Sequence, residues 1–263
     1  MSKLLCAVGH GNFAQAICHG IGELSNGEIT CISFDEVINQ VTANTNVFDV
    51  VKNIAAVIHV GSGRQLSEVI AFCTKTGIPL IQAATGMTYK LQPKAGFVCI
   101  DSPNLALPIL KFMHGLHEMG FSPVKGYKIT LLESHQATKK SVPGTAVKMA
   151  TSLGLRLDSI ISIRDPSAQM NEFRVPKEFL DGHAIHQITV EGLGVSLSFE
   201  TRVYGREAYL HGILALIALF QENNNESLLA TGVTSIFDIL DLLWGQGNTK
   251  RRTGSAPVRF LLW

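Results

Sequence analysis

Six residues near the start of the chain, Gly9-His10-Gly11-Asn12-Phe13-Ala14, do most to limit its fold. They follow the apolar run Leu4 to Val8, which reads as a strand, and precede the apolar-periodic stretch Ala14 to Ile21, which reads as a helix. A strand that turns through glycines into a helix is the context in which G-x-G-x-x-A binds a dinucleotide. Gly9 permits the turn, Gly11 lets a pyrophosphate approach the backbone, and Ala14 is small enough for the helix to sit on the strand. Asn12 and Phe13, at the helix start, belong to the same expected cofactor site.

The rhythm continues downstream. Ile29 to Phe34, Ala55 to Val60, Leu80 to Ala84 and Phe97 to Ile100 are short apolar runs separated by amphipathic stretches, the pattern of parallel strands with helical crossovers. Asp35 and Glu36 are expected to end the second strand, where Asp35 can accept bonds from the adenosine ribose hydroxyls. No Lys or Arg occurs between Lys3 and Lys52, so a 2′-phosphate finds no local cation, and NADH is expected in preference to NADPH. Two further loops fall at strand C-termini, one with Val60, Gly61, Ser62 and Gly63, the other with Ala84 and Thr85. Their small residues would let the backbone approach a nicotinamide ribose and ring.

After Lys128 the pattern changes. Ile129 to Leu132, Ile160 to Ile163, Ile185 to Val190 and Val195 to Tyr204 read as strands with fewer helices between them, the last two joined as a hairpin at Gly192-Leu193-Gly194. Arg206 to Phe220 and Ser235 to Leu243 then read as helices that pack back on the first part. The expected class is therefore α/β, an N-terminal Rossmann-like parallel sheet with a C-terminal α+β sheet domain. Residues 1–103, completed by helices in 206–244, would bind the dinucleotide, and 104–205 would bind substrate. Residues 245–263 combine a basic run with an apolar end and read as a tail without an assigned role.

With 22 basic against 21 acidic residues the formal charge is +1, which gives no reason to expect nucleic acid or an anionic membrane as partner. Cys6, Cys18, Cys31, Cys73 and Cys99 are scattered and odd in number, without a CxxC pair, so neither a zinc site nor a disulfide framework is expected. The opening residues hold one lysine and a short apolar run broken by glycine, too short for a signal peptide or a membrane span. A cytoplasmic setting is expected.

The chemistry concentrates at Glu133-Ser134-His135-Gln136-Ala137-Thr138-Lys139 and Pro143-Gly144-Thr145. Pro143 fits the first turn of a helix running to about Leu153. Gly144 and Thr145 at that helix start would offer unpaired N–H groups and a positive dipole end to a carboxylate or phosphate. His135 and Lys139 would transfer protons beside it. His183 and His186 have the spacing of a metal pair but no third ligand nearby, and a structural role is expected for both.

Together these residues resemble the 4-hydroxy-tetrahydrodipicolinate (dihydrodipicolinate) reductase family. Its pattern E-x-H-H-x-x-K-x-D-x-P-S-G-T-A is matched by Glu133, His135, Lys139, Pro143, Gly144, Thr145 and Ala146. The segment 84–87 is similar to the family's G-T-T-G-F, and Ser102-Pro103-Asn104-Leu105-Ala106 to its A-P-N-F-S, which adds Asn104 to the cofactor set. His186, Gly194 and Arg206 also fall in step, and the likeness reaches to about Leu243. The chain departs at Gln136, where the second histidine is replaced, at Ser141, at His59 and Ala83, and in lacking the serine before Gly144.

The resemblance implies hydride transfer from a nicotinamide cofactor, here NADH by preference with NADPH possible, to a cyclic imine dicarboxylate. It implies Lys139 as general acid with His135 as its partner, and Gln136, Gly144 and Thr145 as the substrate's grip. It also implies a homotetramer, with 104–205 as the oligomerisation domain. The departures leave open a reductase of another imine or keto acid, and a nucleotide-binding protein without turnover is the reading from a different class.

Overall fold

The computed structural model describes residues 2–43, 47–61, 63, 65–84, 96–120, 125–139, 143–226 and 229–245, apart from the side chains of 223–226 and 245. In chain order they form β1 (Lys3–Val8), α1 (Asn12–Leu24), β2 (Ile29–Ser33), α2 (Phe34–Ala43), α3 (Val47–Val51), β3 (Ile54–His59), α4 (Leu66–Thr76), β4 (Leu80–Gln82) and β5 (Val98–Asp101). There follow α5 (Leu107–Met119), β6 (Lys128–His135), α6 (Gly144–Ser152), β7 (Ile161–Ile163), α7 (Pro166–Asn171), β8 (His183–Gly192), β9 (Val195–Tyr204), α8 (Glu207–Glu226), β10 (Gly232–Ser235) and α9 (Leu240–Gly245).

Among the described residues, six strands make a parallel sheet in the order β10-β5-β4-β3-β1-β2. Alternation within β1 shows why its run is apolar throughout. Leu5 and Ala7 pack on one face with Ile17 and Ile21 of α1 and Ile213 and Leu216 of α8, while Cys6 and Val8 pack on the other with Phe34, Val69 and Phe72. α8 comes so close to the chain before α5 that a Cβ on Gly212 would lie 1.7 Å from the Leu105 carbonyl oxygen, so only glycine fits there. The strand order reverses at β1, whose neighbours are β2 and β3, and an open parallel sheet takes its ligand beyond the strand ends at such a point.

Four strands make a second, mixed sheet in the order β7-β6-β8-β9, with β6 and β7 parallel and the other pairs antiparallel. One face, with Leu131 and Ile188, packs on Met113 and Leu116 of α5 and Met149 and Ala150 of α6. The β8–β9 hairpin forms as expected, with Gly192 paired to Val195 and both Leu193 and Gly194 at positive φ, which suits a two-residue turn between twisted strands.

Three expectations change. Asp35 and Glu36 do not end a strand; they lie in the first turn of α2, where a carboxylate meets the positive end of the helix dipole. The Glu36 N–H donates to Ser33 Oγ at 3.2 Å, so Ser33 stops β2 and caps α2. Pro143 is the N-cap of α6 and Gly144 its first residue, one position later than expected. Cys18 of α1 and Cys31 of β2 are joined as a disulfide, contrary to the expectation that the cysteines stay unpaired, while Cys6, Cys73 and Cys99 are free and buried. The partners stand on adjacent packed elements with Cα atoms 4.9 Å apart, a closeness that sequence spacing did not reveal. No helix among the described residues is long and apolar enough to cross a membrane.

Candidate active site

The dinucleotide signature folds as its sequence demands. Gly9 leaves β1 at φ +129°, and a Cβ there would press on the Gly61 backbone at 3.0 Å, so the loops after β1 and β3 touch at the strand-order reversal. The Val60 N–H donates to the Val8 carbonyl at 3.0 Å and fixes that juncture. Gly11 is the N-cap of α1 with no side-chain cap, and a Cβ on it would meet nothing within 4 Å. The start of α1, whose first N–H groups have no intrahelical partner, therefore has open space beside Gly11, a cradle that fits a pyrophosphate. Asp35 accepts from Gln65 Nε2 at 2.6 Å and lies 3.3 Å from His10 Nε2, which places its carboxylate beside the glycine turn. Ala84 follows β4. Ser62, Thr85, Ser141 and the tail beyond residue 245 lie outside the described residues.

The second cluster sits at the end of β6. Glu133 and His135 share one side of the strand because they are two apart, and His135 Nδ1 meets Glu133 Oε2 at 2.7 Å. β7 runs parallel to β6 with Glu133 opposite Ser162, and the next residue but one, Arg164, reaches the same carboxylate. Its Nη2 lies 2.5 Å from Oε1 and its Nη1 3.1 Å from Oε2. Gln169 of α7, fully buried, donates to the His135 carbonyl at 2.7 Å. The His135 ring lies edge-on to that of His186 with centroids 5.5 Å apart.

Electrostatics follow from these contacts. Burial pushes the Glu133 carboxyl up, but hydrogen bonds from His135, Arg164 and Ser162 outweigh it and hold the group at about 2. Burial pushes His135 down, against the pull of Glu133 and with help from the Lys139 and Arg164 charges. His135 is therefore neutral near pH 7, with Nδ1–H given to Glu133 and Nε2 left as the ring's acceptor. Lys139 is also lowered, first by burial and then by Arg164 and Arg206, with Glu133 opposing. That makes its ammonium a better acid than a solvated lysine.

A cleft of about 190 Å³ joins the two clusters. Phe13 of α1, with Ala83 and Asn104 after β4 and β5, lines it from the first sheet's side; His135, Gln136, Lys139, Gly144 and Thr145 line it from the second. His183, Arg206 and Tyr209 complete the wall. Asn104 Nδ2 donates to Thr145 Oγ1 at 3.0 Å while its Oδ1 accepts the Ala106 N–H at 2.8 Å, so it bridges the two parts. The Arg206 guanidinium lies over the Phe13 ring at 5.3 Å, and Phe13 meets Tyr209 edge to face. Lys139 and Arg206 give the cleft positive charge, and the α6 start adds N–H donors, so the site suits an anion.

His135, Gln136, Lys139, Gly144, Thr145, Asn104 and Phe13 thus come together, while Gly9, Gly11, Asn12, Asp35, Val60, Gly61 and Ala84 stand at the ends of the parallel strands. His183, which also lines the cleft, and His186 both hold contacts within the second domain. His183 bonds Ser134 Oγ at 2.9 Å and the Phe179 carbonyl at 3.0 Å, and His186 bonds Thr201 Oγ1 at 3.1 Å. Sequence reasoning missed Arg164, Gln169 and Tyr209, and gave Glu133 no role. Glu133 had a signal, a carboxylate two residues before a histidine on a strand; Arg164 and Gln169 had none, because their contacts depend on the pairing of β6 with β7.

No protein-family model matches the chain. It is 30% identical over 190 residues to the probable 4-hydroxy-tetrahydrodipicolinate reductase 1, chloroplastic, of Oryza sativa subsp. japonica, covering 67% of this chain and 54% of that one. It is 29% identical over 180 residues to 4-hydroxy-tetrahydrodipicolinate reductase 2, chloroplastic, of Arabidopsis thaliana, covering 63% and 51% respectively. The chain spans about half the length of the curated relatives it matches. Among solved structures, a dipicolinate-bound dihydrodipicolinate reductase from Paenisporosarcina sp. TG-14 superposes with a TM-score of 0.57 at 16% identity, covering 91% of this chain and 100% of that one, and shares the fold. In sequence the chain is a homologue of the 4-hydroxy-tetrahydrodipicolinate reductases, in keeping with the resemblance of its motifs.

Proposed function

We propose that this homologue of the 4-hydroxy-tetrahydrodipicolinate reductases reduces 4-hydroxy-tetrahydrodipicolinate to tetrahydrodipicolinate with a nicotinamide nucleotide, NADH in preference to NADPH. The observation that carries the reading is the single cleft in which Phe13 and Asn104, from the dinucleotide side, face His135, Lys139, Gly144 and Thr145. In this reading residues 1–103 with 206–244, joined by Asn104 at the border, hold the nucleotide, and the rest of 104–205 holds the substrate.

The open cradle at Gly11 fits a nicotinamide dinucleotide. Gly9, Gly11, Asn12 and Phe13 would hold its pyrophosphate, Asp35 the adenosine ribose, and Val60, Gly61, Ala84, Thr85 and Asn104 the nicotinamide end. When bound, it supplies the hydride. The chain's own residues do the rest. Gly144 and Thr145 take one carboxylate at the start of α6, and Gln136 donates its amide N–H to the substrate but adds no charge. Lys139 delivers the proton from Nζ, and His135, held by Glu133, keeps its Nε2 toward the proton transfer. One hydride and one proton enter, and the hydroxyl leaves as water.

The test is a coupled assay in which the purified chain is supplied with the aldol-type synthase that makes the substrate. NADH oxidation dependent on the synthase is the expected result, with a higher kcat/KM for NADH than for NADPH. No oxidation with either nucleotide would reject the reading. Val195 and Leu197, exposed apolar residues at the hairpin end of β9, fit a subunit contact, and a homotetramer is expected in light scattering.

A further inference from the structure

A fully buried carboxylate such as that of Glu133 needs a partner for each oxygen, and here one guanidinium provides for both. The same guanidinium has a third use. Arg164 Nε donates to the Lys139 backbone carbonyl at 3.0 Å, so its remaining edge grips the segment that carries the acid. Between these contacts, the Lys139 N–H donates to the Gln136 carbonyl at 3.0 Å, closing a turn from Gln136 to Lys139 directly after His135. Arg164 itself is anchored by its place directly after β7, and by Nη1 donating to the Ile163 carbonyl at 2.9 Å. Its planar fork makes these bonds from one rigid group, which the point charge of a lysine cannot do.

We propose that Arg164 is a positioning residue that fixes the two proton-transfer groups relative to each other, setting the His135 ring through Glu133 and the Lys139 segment through its carbonyl. The inference rests on the reductase reading, since it assigns Arg164 a role in the same site. Arg164 does not line the cleft and touches no reacting atom, so its influence falls on the chemical step and leaves nucleotide binding alone. A displacement of about 1 Å in a reacting group costs on the order of 100-fold in rate, which sets the scale expected when the fork is lost.

The experiment compares the full chain with its Arg164→Lys variant, which keeps the charge and removes the fork. Two readouts are taken: steady-state kinetics in the coupled assay, and the His135 tautomer from long-range proton–nitrogen spectra of chain labelled in histidine. Expected are a kcat lower by about 10- to 100-fold with the KM for NADH within about twofold, and a His135 ring that passes from one Nδ1–H tautomer to a mixture. If the variant does not fold, Glu133→Gln/Arg164→Met, which buries no lone charge, is compared with Glu133→Gln alone; a further loss of kcat in the pair is expected, and equal kcat in the two overturns the proposal. Unchanged kcat, an unchanged tautomer, or a loss confined to KM overturns the proposal. The spectra need no turnover, so a chain that fails to oxidise NADH sinks the reductase reading while the tautomer still decides what Arg164 does.

Discussion

Lys139 is the residue on which the proposed chemistry turns, and its surroundings predict how it behaves. Burial and the Arg164 and Arg206 charges lower its pKa, and the protonated form is the one that acts. The rate is therefore full below that lowered pKa and falls as pH rises through it, sooner than an unperturbed lysine would allow. Lys139→Ala should lower kcat by about 10²- to 10⁴-fold, the usual contribution of a positioned acid, and should abolish the alkaline limb of the pH–rate profile. A retained limb in the variant would assign it to another group. The residues of this site were legible in unequal measure. His135, Lys139, Gly144 and Thr145 stand within eleven positions of one another, so local spacing before a proline-led helix was enough to mark them. Arg164 reaches Glu133 only because β7 pairs with β6 in one register, and nothing local in the sequence encodes that register.

At the scale of elements, apolar runs located five strands of the first sheet and missed β10, whose Gly232–Ser235 holds a single apolar residue, Val233; the other errors fell at ends, where a polar residue decides. Ser33 followed three residues later by Glu36 is a helix-start pattern, and it explains why β2 stops before Asp35. The correction moves Asp35 from a strand end into α2 yet keeps it beside the glycine turn. The Cys18–Cys31 pair was hidden for a different reason: α1 and β2 meet through tertiary packing, which an odd, scattered set of cysteines does not report. A reducing compartment would hold these two as thiols. The chain purified without reductant and then unfolded should show three reactive thiols, from Cys6, Cys73 and Cys99, and five after dithiothreitol. A link across a sequence separation of 13 stabilises a fold by roughly 3 kcal/mol when it fits, so reduction should also lower Tm by several degrees. Five thiols without reductant would show that the two sulfurs sit close but unbonded.

Across the whole molecule, the second sheet carries an unusual load of buried titratable groups, and they set how the fold responds to acid. His186 is held at about 3, first by burial and then by the His135 charge, with Glu133 opposing, and its Nε2 has no hydrogen-bond partner among the described residues. His135 and His183 are lowered in the same sense, and Glu133 stays ionised down to about 2. All four groups hold fewer protons in the folded chain than in the unfolded chain across the acid range. Stability therefore rises with pH there and is lost as pH falls: first below the ordinary histidine value near 6.5, as the unfolded chain takes up protons at these imidazoles, then below about 4.5, as it does so at Glu133. The histidine part amounts to a few kcal/mol in order of magnitude, comparable with the whole margin of an ordinary domain, so loss of the second sheet's packing should begin well above the carboxylate range. Urea unfolding of the chain and of His186→Gln between pH 7 and 4.5 checks this. The variant, with nothing to protonate at that position, should show a shallower slope of stability against pH whatever its stability at pH 7, and parallel slopes would assign the acid sensitivity elsewhere.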